Sequence, residues 1–209
     1  MKTYILLSIL GIFFFTSANA QYEAGDIDFS LGGGIGLYGA KSNVPADSST
    51  GIAAANNLWN LTGNYAIIPE LSIGYTFERN GFLGGNDSAG NDTYGNSNNF
   101  KLNVIFRMVN GEKNALSLQS MVGMSVLKFG DNATRDEVKS TGMTYEFGLT
   151  YQHLFGEHFG YYLNGAYASY RYSKITNQDG DVWRTDDDSK DIVLTLSGGT
   201  LRVGLVYRL

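Results

Sequence analysis

Arg202-Val203-Gly204-Leu205-Val206-Tyr207-Arg208-Leu209 is the stretch from which the fold can be predicted, because it alternates large apolar side chains with polar or small ones. Successive side chains of a β-strand point to opposite faces, so the odd-numbered residues share one face. That face carries only Val, Leu and Tyr. The other face carries Arg and Gly, with Val206 as its one large apolar residue. The pattern predicts a strand with one apolar face that runs to residue 209.

The same stretch resembles the closing-strand signal of bacterial outer-membrane β-barrels, which their assembly machinery reads. That signal is a polar residue, a glycine two positions later, and apolar residues three and five positions after the glycine. Its four positions are filled by Arg202, Gly204, Tyr207 and Leu209. Leu209 departs from the usual pattern, because an aromatic residue, most often Phe, is commoner there. The resemblance implies that the barrel-assembly machinery is a partner during biogenesis.

The first twenty residues have the three parts of a secretory signal peptide. Met1 and Lys2 form a short positive region, residues 4–15 form an apolar core, and Ala18-Asn19-Ala20 is an A-x-A cleavage site. The apolar core is well short of the about 20 residues that a membrane-spanning helix needs. We therefore expect residues 1–20 to be a signal peptide and residues 21–209 to form one domain that begins at Gln21.

The composition excludes several classes of protein and site. The chain of 209 residues has no Cys, so disulfides, thiolate metal sites and lipid attachment to a cysteine are excluded. Its net charge of −5 argues against a nucleic-acid partner, which would need clustered Lys and Arg. No segment after residue 20 is apolar enough for a membrane-spanning helix. A membrane crossing must therefore use strands that close into a barrel, since lipid tolerates no open sheet edge.

Stretches of alternating residues are separated by short, tight connectors and by long ones rich in Asn, Asp, Ser and Gly. Outer-membrane barrels have the same inequality, with short periplasmic turns and longer extracellular loops. An even number of crossings leaves both ends of the domain on the periplasmic side. We predict eight strands, at about residues 26–41, 61–77, a short third strand from 82, 100–108, 116–126, 143–155, 159–174 and 191–209.

The second predicted strand contains Pro69 and ends at a turn. Pro69 cannot donate to the ladder, which predicts a bulge or irregular pairing at that position. The stretch from Glu78 to Gly81 contains Asn80-Gly81, a pair typical of tight hairpin turns. This assignment leaves residues 42–60 as a long connector.

The character of the two strand faces predicts which one meets lipid. A soluble eight-stranded barrel, such as a lipocalin, fills its interior with the bulky apolar face. Here the polar face consists mainly of Gly, Ser, Thr, Asn and Gln, which suit a narrow, crowded interior, and the apolar face is bulky and aromatic, as a lipid-facing band should be. We predict an all-β fold, an eight-stranded antiparallel transmembrane up-and-down β-barrel.

Taken together, the signal peptide, the eight crossings and the C-terminal stretch resemble the small outer-membrane β-barrel proteins of the OmpA-barrel, OmpX and opacity-protein type, especially those of Bacteroidetes. The resemblance implies export to the bacterial outer membrane, in contact with its lipid and lipopolysaccharide. It implies no single activity. Our first hypothesis is a non-enzymatic protein that acts through surface loops or as an accessory or structural subunit of an envelope complex, with other envelope proteins as partners. The alternative is a small channel or carrier for ions or hydrophobic solutes, and the third is an outer-leaflet lipid-modifying enzyme.

Three charged residues are candidates for a cluster inside the barrel. Counting back from the periplasmic ends of the predicted strands places Glu70, Glu146 and Arg202 inward at similar mid-height. Eight strands leave an interior just wide enough for side chains to fill. Opposite charges packed there would pair and close the lumen. A narrow ion pore is the alternative.

Other candidate sites are sparse. The chain has two histidines, His153 and His158, both at or beside a predicted periplasmic turn, and the His-x-Ser pattern of lipid A deacylases is absent. We therefore predict no catalytic, cofactor or metal site. Ser88, in Asp87-Ser88-Ala89, fits the O-glycosylation acceptor pattern of Bacteroidetes. The acidic loop 175–190 offers oxygen ligands for Ca²⁺ but lacks EF-hand spacing, so an ordinary solvated loop is the simpler interpretation.

Overall fold

A computed structural model of the chain describes residues 21–43, 52–82, 93–131, 137–182, 184 and 190–209. Every strand is antiparallel to its two neighbours, and the last strand pairs with the first to close the barrel. The signal peptide predicted for residues 1–20 and the glycosylation site predicted at Ser88 lie outside the described residues. The eight strands are β1 (Ile27–Ser42), β2 (Ile52–Ile68), β3 (Leu71–Phe82), β4 (Thr93–Asn110), β5 (Asn114–Asp131), β6 (Glu137–Leu154), β7 (Phe159–Thr176) and β8 (Val193–Arg208).

The strands are staggered around the barrel. A path that follows directly paired residues starts at Lys41 in β1 and returns to β1 at Leu31, ten residues away. Such a stagger requires the strands to tilt against the barrel axis. The path passes through Thr195, Arg171, Met143, Met124, Phe100, Phe77 and Leu61.

Large apolar side chains cover the outside of the barrel. Leu37, Leu201 and Leu205 are each about two-thirds exposed, whereas polar residues such as Asn103 and Thr144 are buried inside. A soluble barrel has the opposite arrangement, so this is the distribution of a barrel surrounded by lipid. The described part of the chain contains no helix long and apolar enough to cross a membrane. The predicted fold class, an eight-stranded antiparallel barrel of the outer-membrane kind, is confirmed.

The prediction for the second strand was wrong. Residues 61–77 are two strands, β2 and β3, joined by a tight turn at Pro69 and Glu70. Outward-facing residues keep odd numbers on both sides of this turn, as Tyr65 and Ile73 show, so the alternation continues through it without a break. A register shift between Ala66 and Ile68 accompanies the turn.

Further errors, at residues 52–60 and 78–99, compensate for this one in the number of strands. The predicted turn from Glu78 to Gly81 lies within β3, where it pairs with β2 and β4. The polar stretch 84–99, which lies between the predicted third and fourth strands, contains the beginning of β4, which starts at Thr93. Residues 52–60, expected in a connector, belong to β2. The number of strands is therefore as predicted, although the second and third lie elsewhere in the sequence and the fourth begins earlier, because pairing with neighbours overrides the weak strand preference of Asn, Ser and Gly.

Candidate functional site

Four charged side chains meet inside the barrel at mid-height. They are Glu78 of β3, Lys101 of β4, Glu146 of β6 and Arg202 of β8, here called the charge quartet. Each lies between six and nine residues from the turn end of its strand, which brings the four to a common level. All four are at most 5% exposed. Two acids and two bases give the quartet no net charge.

Each acid of the quartet contacts both bases. Lys101 Nζ lies 2.8 Å from Glu78 Oε1 and 2.8 Å from Glu146 Oε2. Arg202 Nη2 donates to Glu78 Oε2 at 2.6 Å and to Glu146 Oε2 at 2.8 Å, while its Nη1 donates to Glu146 Oε1. Buried charges are tolerated when they are paired and hydrogen-bonded in this way. The quartet therefore fills the middle of the lumen with an interlocked, neutral group.

Neutral polar side chains complete the hydrogen bonding of the quartet. Asn99 Nδ2 and the Tyr170 hydroxyl donate to Glu78 Oε1 at 3.1 and 3.0 Å. Arg202 Nη1 also donates to Asn164 Oδ1 at 2.8 Å. A buried polar network is favourable only when its members are satisfied, and loss of one member then affects the others.

An aromatic layer closes the lumen on the loop side of the quartet. Tyr38 and Tyr170 meet edge to face with ring centroids 5.6 Å apart, and Tyr170 and Tyr172 stack at 6.4 Å. The Tyr172 hydroxyl is 2.7 Å from Ser125 Oγ. The three tyrosines are at most 2% exposed, so they fill the cross-section. The layer is completed by Leu127, Ala168 and Leu196.

Between the quartet and the turns, the lumen narrows to a small polar cavity. Its volume is about 50 Å³, which is room for a few water molecules. Thr62 and Thr76, paired on neighbouring strands, line it and share a hydroxyl–hydroxyl hydrogen bond of 2.8 Å, and Asn103 Nδ2 donates to Thr76 at 2.7 Å. The cavity is too small for a solute.

The segment before β1 closes the turn side of the lumen. Tyr22 is fully buried there, with the Arg107 guanidinium carbon 3.6 Å from its ring centroid. Gln152 Nε2 donates to the Tyr22 hydroxyl at 2.5 Å. The Tyr22 backbone exchanges two hydrogen bonds with the Asn110 side chain, of 3.0 and 2.9 Å. Burial raises the pKa of the Tyr22 phenol far above its usual range, so Tyr22 stays uncharged.

Tyr22→Phe is expected to lower the free energy of unfolding by about 1 kcal/mol, because it removes the partner of the half-buried Gln152 amide and keeps the ring against Arg107. Denaturant unfolding in phospholipid vesicles measures the loss. Tyr75→Phe is the matched control, since Tyr75 is 49% exposed on the outer face. It should change the free energy of unfolding by a few tenths of a kcal/mol at most. Equal effects of the two substitutions would contradict the packing assigned to Tyr22.

The structure brings two of the three predicted cluster residues together. Arg202 contacts Glu146, but Glu70 is exposed in the β2–β3 turn and is not part of the quartet. The prediction for Glu70 was wrong because it followed from the wrong bounds of the second strand. Glu78, which we placed in a turn, occupies the corresponding position in the lumen. Lys101 lies within the predicted fourth strand, 100–108, and completes the quartet as a residue that was not among the predicted cluster.

The closing-strand residues have distinct positions. Arg202 belongs to the quartet, and Gly204 lies against the Tyr162 ring, where a side chain on residue 204 would collide with that ring. Tyr207 lies on the outer face, with its ring centroid 4.8 Å from that of Phe159. The Leu209 amide donates to the backbone of β1 at 2.8 Å. Recognition of these residues by the assembly machinery stays a prediction.

The two histidines lie at the turn end, as predicted. His153 Nδ1 is 2.7 Å from Asn114 Oδ1, and His158 Nδ1 is 2.9 Å from the Arg208 carbonyl oxygen. In the described part of the chain, the two histidines thus pair with an amide oxygen and a backbone carbonyl oxygen, and neither of these is a nucleophile that a base could activate. Within the described ranges, no three acidic or histidine side chains gather as metal ligands. Of the acidic loop, residues 183 and 185–189 lie outside these ranges.

No protein-family model and no curated protein matches this chain. Solved structures are similar to it over most of its length. The outer membrane protein OprG from Pseudomonas aeruginosa has a TM-score of 0.53 at 13% identity, covering 91% of this chain and 99% of that one. Ail, the attachment invasion locus protein of Yersinia pestis, has a TM-score of 0.50 at 18% identity, covering 89% and 99%. Neisserial surface protein A has a TM-score of 0.50 at 13% identity, covering 86% of this chain and 96% of that one.

These identities are low, so the likeness shows the fold alone. The chain has the small eight-stranded barrel fold of outer-membrane proteins. The likeness does not extend to an activity, and the assignment to Bacteroidetes stays a prediction.

Proposed function

We propose that this chain is a closed, non-enzymatic barrel of the bacterial outer membrane that acts through its surface. Its role would lie in its extracellular loops or in packing as an accessory or structural subunit of an envelope complex. The observation that carries this proposal is the charge quartet, with the aromatic layer on one side of it and Tyr22 on the other. A lumen filled at three levels has no continuous path for a solute.

The proposal ranks a closed barrel above a channel or carrier. An ion that crossed the barrel would have to separate Arg202 and Lys101 from both carboxylates, which would leave buried charges without partners. The interior of an eight-stranded barrel offers no room to pass beside them. An apolar solute would in addition have to displace the aromatic layer.

The proposal also ranks a non-enzymatic role above a lipid-modifying enzyme. An enzyme that acts on outer-leaflet lipid needs its nucleophile and base near the loop end of the barrel. Both histidines of the chain lie at the turn end, where their ring Nδ1 atoms pair with an amide oxygen and a backbone carbonyl oxygen. Within the described residues, the charged side chains of the quartet bind one another.

The proposed location includes the following elements. Residues 1–20 would direct export as a signal peptide, the assembly machinery would insert the barrel, and the barrel would then contact outer-membrane lipid, lipopolysaccharide and other envelope proteins. Nucleic acid is not among the proposed partners. The bacterial group that we propose is Bacteroidetes, on the sequence resemblance alone.

Conductance across planar lipid bilayers tests the closed lumen. The unmodified barrel is expected to give no steady conductance. A variant with Glu78→Ser, Lys101→Ser, Glu146→Ser and Arg202→Ser keeps the lumen neutral but removes the quartet, and with it the Glu78 carboxylate that accepts the Tyr170 hydrogen bond and holds the aromatic layer in place. It is therefore the control that should conduct more. A steady open pore in the unmodified protein would overturn the closed-barrel proposal and favour the channel.

A further inference from the structure

The outer face of the barrel changes from apolar to basic near its loop end. Strands tilted by 35–45° rise about 2.5 Å per residue along the axis, so an apolar band about 25 Å tall spans roughly ten residues. Tyr145 and Tyr167 lie nine and eight residues from the turn end of their strands, within this band. Lys41 and Arg171 lie fourteen and twelve residues from the turn ends of β1 and β7, just beyond the apolar band.

Lys41 and Arg171 flank one residue on the outer face. Both pair in register with Thr195 of β8, which lies between them. Neighbouring strands are about 4.8 Å apart, so the Cα atoms of Lys41 and Arg171 are about 10 Å apart. The three residues form a row, here called the Lys-Thr-Arg row, along an open groove of about 550 Å³. Other residues that line the groove are Ser42, Asn43, Tyr145, Ser169 and Val193.

The two cations of this row are exposed and make no ion pair with a described residue. Asp191 is the acidic residue nearest in sequence to Thr195. Its carboxylate lies 3.9 Å from Arg184 Nε, and its backbone carbonyl oxygen accepts a hydrogen bond from the Asn43 side chain. The row is therefore a positive site on a chain of net charge −5. Lys128 and Lys139 are further cations near this height, with contacts of their own, and the site does not depend on them.

We propose that the Lys-Thr-Arg row binds the phosphate of a phosphorylated lipid headgroup in the outer leaflet. Two cations about 10 Å apart can hold one phosphate group between them, and the Thr195 and Ser169 hydroxyls are additional donors. The apolar band begins directly beside the row at Tyr145, so acyl chains of the same lipid would lie against it. This double match of charge and apolar surface favours a lipid over an acidic peptide in solution. The inference rests on the proposed membrane location.

Binding of defined lipids to the complete folded barrel in phosphatidylcholine nanodiscs tests this inference. The probes are diphosphoryl lipid A and an analogue with the same acyl chains and no phosphate, and native mass spectrometry measures occupancy. The unmodified protein is expected to prefer the phosphorylated lipid. Each of Lys41→Gln and Arg171→Gln should weaken its binding about fivefold, and the two together about 25-fold, as expected for cations near an anionic headgroup.

Two further variants control for general charge effects and for folding. Lys113→Gln removes an exposed cation at the turn end and should leave binding within about twofold. Arg171→Lys keeps the charge and should retain most of the affinity. Undiminished binding by the double variant, equal binding of the phosphate-free lipid, or an equal loss in Lys113→Gln would overturn the inference. Since the assay uses purified protein, it is independent of where the native chain is found and of whether the lumen conducts.

Discussion

Arg202→Met is expected to lower the free energy of unfolding of the barrel by about 3 to 5 kcal/mol. The substitution removes the base that contacts both carboxylates of the charge quartet and leaves Lys101 alone with Glu78 and Glu146. Removing one partner of a buried ion pair costs this much because the remaining charge stays in a medium that solvates it poorly. Denaturant unfolding in phospholipid vesicles, followed by tryptophan fluorescence, measures the loss.

A double-mutant cycle identifies the partners of Arg202. Adding Glu146→Gln or Glu78→Gln to Arg202→Met should recover part of the loss, since the second change removes a charge that the first left unpaired. Glu70→Gln is the matched control: this residue is exposed in the β2–β3 turn, so its effect should be additive with that of Arg202→Met. Additive losses for Glu78 and Glu146 as well would show that the quartet does not act as a unit.

Leu201→Arg is expected to destabilise the barrel by about 2 to 4 kcal/mol and to reduce its folding into vesicles. Leu201 is 64% exposed on the outer face and lies seven residues from the turn end of β8, close to the middle of the apolar band. A cation at that depth must be removed from water into hydrocarbon, and the cost falls to about 0 to 1 kcal/mol near the interface.

The same strand supplies matched controls for depth. Leu205 and Leu209 share the face of Leu201 and are 64% and 60% exposed, but they lie progressively nearer the turn end. Arginine should therefore cost less at position 205 than at 201, and least at 209. Folding yield and unfolding free energy in vesicles measure the series. Three equal costs would show that this face is not in contact with a lipid bilayer.

The alternation of residues was sufficient to predict the barrel and the face that meets lipid. In β8, each residue from Leu201 to Leu209 lies on the predicted face, because a lipid-facing strand keeps a strict period of two. The same property explains the error in β2 and β3. The turn at Pro69 and Glu70 preserves the phase of the alternation, so the pattern gives no indication that the chain reverses there.

The contents of the lumen were only partly predictable. Arg202 and Glu146 lie on strands whose bounds were nearly right, so counting along the strands placed both at mid-height. Glu78 was missed because Asn80-Gly81 is typical of a hairpin turn, although here both residues lie within β3. Tyr170 and Tyr172 share even numbers with the inward Asn164, a signal that could have placed them in the lumen. Tyr22 precedes the first strand, where no periodicity predicts its position.

The charge quartet has a consequence for how reliably the barrel assembles. A slip of two residues between neighbouring strands keeps every apolar residue on the outside, so lipid cannot distinguish the slipped barrel from the correct one. In such a slip of β8, Thr200 or Gly204 would take the place of Arg202 opposite Asn164, and the carboxylates of Glu78 and Glu146 would lose their shared base. The native register is the one that satisfies all four charges, so the lumen supplies the selectivity between registers that the lipid face lacks.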